Sequence, residues 1–164
     1  MNATVEKSGN EVETLVLKAA RGGGLPTGLA EDLAAAARYL DLDALTVCPC
    51  HGANPPAAQI PSALDHVVAG ADAITVSGDH ALITAYVAAL KAQTGHAIVL
   101  EDGENGITIR AAADPQGPPP HPMGRRMLRK DLVAHLDDMA AKTLVPETES
   151  SRLGGAGAGL TDND

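Results

Sequence analysis

Apolar residues recur at helical spacing through Val12, Leu15, Val16, Ala19 and Ala20, which predicts a first helix. Asn10 followed by Glu13 gives it a capping-box-like start, and Gly22-Gly23-Gly24 ends it. A second stripe, Leu29, Leu33, Ala36, Ala37 and Leu40, follows Thr27 as a cap, with Glu31 and Asp32 near the helix start, where acidic groups complement the dipole. The pair reads as a helical hairpin with a wide glycine elbow. Three glycines exceed what a helix stop requires, so the loop is either flexible, repeatedly at positive φ, or close to other backbone.

The pattern then changes to short apolar runs. Asp43-Ala44-Leu45-Thr46-Val47-Cys48-Pro49-Cys50-His51 is echoed by Asp72-Ala73-Ile74-Thr75-Val76-Ser77-Gly78-Asp79-His80, each predicting a strand that runs into a loop. Between them Pro61 to Ala69 predicts a helix with Pro61 in its first turn and Gly70 beyond its end. Asp79 caps a further helix carrying Leu82, Ile83, Tyr86, Val87 and Leu90, closed by Gly95, and Ala97 to Leu100 returns as a strand. This order predicts two successive βαβ units. The turn-rich residues 101–106 lead into Ile107-Thr108-Ile109, which closes an antiparallel hairpin. After the Pro/Gly-rich stretch from Asp114 to Gly124, Asp131 caps a last helix with Leu132, Leu136, Met139 and Ala140 toward the core, before Lys142 and Pro146.

The fold class expected is therefore α/β or α+β: a small mixed sheet with βαβ units, an amino-terminal helical hairpin and a glycine-rich carboxyl-terminal tail. Residues 1–112 form the α/β core with the hairpin, 113–124 a Pro/Gly-rich linker, 125–146 a docked helix of the same domain, and 147–164 the tail.

Composition narrows the picture. The 164 residues are 45% hydrophobic but only 1% aromatic, with no Phe or Trp, so Ala, Val, Leu and Ile must build the core. The net charge of −9 argues against nucleic-acid binding, which normally uses a basic face to release counterions. No apolar run is long enough to span a membrane and the start lacks an apolar signal region. Two cysteines, two positions apart, do not staple a secreted scaffold. These features together predict a cytoplasmic protein.

If the echoed strands lie side by side, their loops meet at one sheet edge, gathering Cys48, Cys50, His51, Ser77, Asp79 and His80. Thiolates and imidazoles suit a tetrahedral Zn site, and a thiol beside an imidazole suits nucleophilic chemistry. The plain alternative makes Cys48 a small hydrophobe at the strand end. Ser77-Gly78-Asp79 offers backbone N–H groups to an anion, or simply Asp79 as a helix cap. Arg125, Arg126, Arg129 and Lys130 form the one dense basic run, able to clamp an acidic ligand, a partner or the protein's own carboxylates.

The segment Lys18-Ala19-Ala20-Arg21-Gly22-Gly23-Gly24-Leu25-Pro26-Thr27-Gly28-Leu29-Ala30-Glu31-Asp32, with the stretch from Val145-Pro146 through Glu149-Ser150-Ser151-Arg152 to Asp164, resembles an uncharacterised bacterial domain-of-unknown-function family. An aromatic residue usually stands at the place of Thr27 in that family and another at Tyr39, so Thr27 departs and Tyr39 fits. The resemblance brings no activity. It implies that shared function sits on Arg21, Gly22, Gly23 and Gly24 and on tail residues such as Glu149, Ser150, Arg152, Asp162 and Asp164, whose charged ends would offset the entropic cost of ordering glycine. The function expected is that of an accessory or small-ligand-binding protein acting with a metabolic enzyme, its partner an enzyme subunit or an anionic small molecule. The alternative is a small metal- or thiol-dependent enzyme using Cys48, Cys50, His51 and His80.

Overall fold

A computed structural model describes residues 3–50, 53–113 and 117–143. The first helix begins earlier than Asn10. Ser8 is its cap: its hydroxyl accepts from Glu11 N, while Ser8 N donates to the Glu11 carboxylate at 2.8 Å. This reciprocal box starts α1 (Gly9–Gly22), which follows β1 (Thr4–Lys7), and the Ser8 backbone N–H holds the Glu11 carboxyl below its ordinary pKa. Thr27 is the first residue of α2 (Thr27–Ala37) rather than its cap; Pro26 takes that place without a side-chain bond.

The first echo is not a strand. Asp41 accepts from Asp43 N and starts a 3-10 turn, Leu42–Ala44, and Val47 is 74% exposed. The first expected βαβ unit therefore falls away. Helix α3 (Pro56–Val68) starts at Pro56 and places Pro61 in its interior, not in its first turn. Proline has no N–H for the carbonyl of residue i−4, here Ala57, and the Tyr86 hydroxyl donates to that carbonyl at 3.5 Å. Tyr86→Phe is expected to cost about 1 kcal/mol. In a Pro61→Ala background, where a helical N–H returns to Ala57, the cost should shrink, and urea unfolding of the four-member cycle measures the coupling.

The second echo keeps its strand, β2 (Ile74–Val76), and Asp79 caps α4 (His80–Thr94), accepting from Ala81 N at 2.8 Å and Leu82 N at 3.4 Å. Gly95, with φ of 79°, closes α4. Strands β3 (Ile98–Gly103) and β4 (Gly106–Ala111) form the expected hairpin. The sheet order is β2-β4-β3, every pair antiparallel. β2 and β3 thus share a direction but are separated by β4, a split version of the expected βαβ unit. The register sets Ile74 and Leu100 beside Ile109 and Val76 beside Ile107, giving an apolar face on which α3 packs.

A second sheet pairs β1 with β5 (Arg126–Arg129), Val5 opposite Leu128. The basic run is mostly strand, and α5 (Lys130–Ala141) follows at once, with Asp131 in its first turn and Arg129 at the cap position. Helix α1 lies between α2 and α5, and α2 packs on α3 and α4. One core joins these layers, its α2 side built from Ala30, Ala34, Ala36 and Ala37, small side chains that let helices approach closely. The whole is a mixed α+β fold.

Candidate functional site

The glycine elbow has a definite structural use. A Cβ on Gly22 would stand 1.8 Å from the Met139 carbonyl oxygen, so α1 meets α5 backbone to side-chain-free backbone. Gly24 takes a φ of 95° in the turn toward α2. Arg21 is exposed in the last turn of α1, where a cation complements the helix dipole. The tail residues Glu149, Ser150, Arg152, Asp162 and Asp164 lie outside the described residues.

Beside this crossing lies a cavity of about 160 Å³. Its walls are Val16, Ala19 and Ala20 of α1, Leu33 of α2, Leu132, His135, Leu136 and Met139 of α5, and the segment from Leu42 to Cys50. That segment is fastened at both ends. Arg129 donates through its backbone N and Nε to the Asp43 carboxylate at about 3.2 Å, and Pro49 O accepts from Ala57 N at 3.1 Å, satisfying an otherwise orphaned donor at the start of α3. The fastenings set Cys48 and Cys50, both half-buried, two residues apart on the cavity wall. Neighbouring Cys48 and then burial push the Cys50 thiol far above its ordinary pKa.

The structure brings together the two cysteines but does not place His80 with them on that wall. His80 stands 3.8 Å from Asp102 and 3.3 Å from the Thr84 hydroxyl, in an exposed position. His51 lies outside the described residues. Among the described residues, no three His, Cys, Asp or Glu side chains gather as a Zn ion would require. At Ser77-Gly78-Asp79, the Asp79 carboxylate itself takes the helix N–H groups. The basic run is spent largely on its own chain: Arg125 pairs with Glu6 at 3.5 Å, Arg129 with Asp43 and Asp131, and Arg126 with backbone carbonyls. His135 was the wall residue least legible beforehand; its signal was its place between Leu132 and Leu136 on one apolar stripe.

A smaller hollow joins Asp32, Asp65, Tyr86 and Gln93. Burial first, then Asp65 and Glu31, raise the Asp32 carboxyl above its ordinary pKa. A raised carboxyl favours the folded state only while protonated, so this contribution is lost as pH rises through the folded-state value. Asp32→Asn should raise the thermal midpoint at neutral pH, with the gain shrinking in melts well below the usual carboxylate range.

No curated protein and no solved structure matches the chain. Residues 7–48, which carry α1, the glycine elbow, α2 and the cavity wall as far as Cys48, match the model of the family described as "Protein of unknown function (DUF3726)".

Proposed function

We propose that the protein is a small-ligand-binding domain with an accessory role, and that its ligand is a compact apolar molecule held between α1, α5 and the Leu42–Cys50 segment. The observation that carries this reading is the cavity itself, walled mainly by aliphatic side chains at about 160 Å³. An apolar protein cavity of about 150 Å³ accepts benzene or xenon, so this space, open to solvent beside Val47 and the two thiols, has room for one small ring. Among the described residues the polar groups on the wall are few, His135, Thr46 and the two thiols, as in sites where a small number of polar atoms orient an apolar ligand.

Titration of methyl-labelled protein with benzene and with indole tests the reading. Saturable shifts confined to the methyl groups of the cavity wall, among them Val16, Leu33, Leu42, Leu45, Leu132 and Leu136, are expected. Ala19→Leu, which projects extra volume into the space, should abolish them while the melting curve shows the protein still folded. Absence of saturable shifts with both probes would overturn the proposal.

A further inference from the structure

Cys48 and Cys50 differ from an isolated buried cysteine in three ways. They stand two residues apart on the wall of one cavity, both remain partly open to solvent, and Pro49-Cys50 sit in a turn that follows the exposed Val47. We propose that Cys48 and Cys50 form a reversible dithiol–disulfide couple whose reactant is a small disulfide of the glutathione class. This goes beyond the ligand-binding reading and does not depend on it.

The chemistry balances within the pair and its reactant. One cysteine loses its proton to water and its sulfur attacks the reactant's S–S bond. That bond breaks, a mixed disulfide forms, and one small thiolate leaves to take up a proton. The second cysteine, also giving its proton to water, attacks the protein sulfur of the mixed disulfide, and the second small thiolate leaves. The two cysteine sulfurs are oxidised together by two electrons and the reactant is reduced to two thiols. Either sulfur can attack first, the other then resolving the mixed disulfide. A disulfide between residues two apart closes a very short loop and gains little from restricting the unfolded chain. The bond is therefore of the labile kind that small thiols reduce again, and it forms on the wall of the cavity.

Full-length protein equilibrated in buffers of glutathione and glutathione disulfide, acid-quenched, alkylated and weighed intact tests the inference. The expected product is lighter by two hydrogen atoms, restored by dithiothreitol, and yields one peptide joining Cys48 to Cys50. Cys50→Ser should instead hold a stable glutathione adduct on Cys48, and Cys48→Ser one on Cys50. A lasting adduct on the unsubstituted protein, a disulfide-linked dimer, or unchanged mass across the whole buffer range would each overturn it; none of these readouts needs a variant to fold.

Discussion

Gly22→Ala is expected to destabilise the protein by about 3 kcal/mol, the upper range for forcing atoms into a packed contact. The added Cβ would lie 1.8 Å from Met139 O and 2.7 Å from Met139 C, and both are backbone of α5, which has no rotamer to change. Relief requires moving α1 and α5 apart. The helix-propensity gain of Ala over Gly, about 1 kcal/mol, acts in the other direction and is outweighed. Gly28→Ala provides the opposite case: Gly28 is exposed in the first turn of α2, where among the described residues its would-be Cβ meets nothing within 4 Å beyond its own chain neighbours and helix backbone, and it should be neutral or stabilising by a few tenths of a kcal/mol. Urea unfolding of the two variants measures the contrast. Displacing α5 also moves Leu136 and Met139 on the cavity wall, so Gly22→Ala should weaken benzene and indole binding where Gly28→Ala does not. Equal stability of the two variants would mean that the helix crossing does not depend on this glycine.

The elbow shows what was legible in the sequence. Three consecutive glycines announced a constraint, but close approach and positive φ leave the same letters, and only the position of α5 assigns Gly22 to one and Gly24 to the other. The two echoed segments mark the limit more sharply. Leu45-Thr46-Val47 and Ile74-Thr75-Val76 have nearly the same strand propensity, yet β2 pairs along β4 while Val47 is left exposed. Strand formation depends on a neighbour to pair with, and the first segment is instead held by Asp43 to Arg129 and by Pro49 to Ala57. The β1–β5 ribbon was hidden for the same reason: each strand is four residues long, with Val5 and Leu128 forming the apolar contact between charged flanks. Helices α1, α2 and α4 and the β3–β4 hairpin were legible because their signals are local: a 3.6-residue stripe, an Asp79 cap, a Gly95 stop and a turn between two apolar runs. Of the cavity, the α1 and α5 stripes could be read separately. Their meeting over Cys48 and Cys50 is a tertiary fact.

Arg126→Met is expected to cost about 2 to 3 kcal/mol, because hydrogen bonds from a charged donor are worth more than neutral ones and a carbonyl left without a donor retains its desolvation cost. Arg126 Nη1 donates to Leu40 O and Nη2 to Ala37 O, both at 2.7 Å. Ala37 O is among the carbonyls that the end of α2 cannot satisfy within the helix, Leu40 O lies in the chain just beyond it, and a cation there also meets the negative end of the helix dipole. Burial lowers the Arg126 pKa and Asp41 opposes that shift, so the guanidinium is held by the geometry of two acceptors rather than by a carboxylate alone. Arg126→Lys should recover less than half of the loss, since one ammonium lacks the planar fork that reaches both carbonyls. Salt separates this bond from its neighbours. The exposed Arg125–Glu6 pair should matter little and less still in high salt, so Arg125→Met is expected to be near neutral. The Arg126→Met deficit should persist when urea unfolding is repeated at high ionic strength, because paired carbonyls inside a partly buried joint are screened weakly. A deficit that vanished with salt would place Arg126 with the surface ion pairs. One that persisted would identify it as the residue that fastens β5, and with it Asp43 and the cavity segment, to the end of α2.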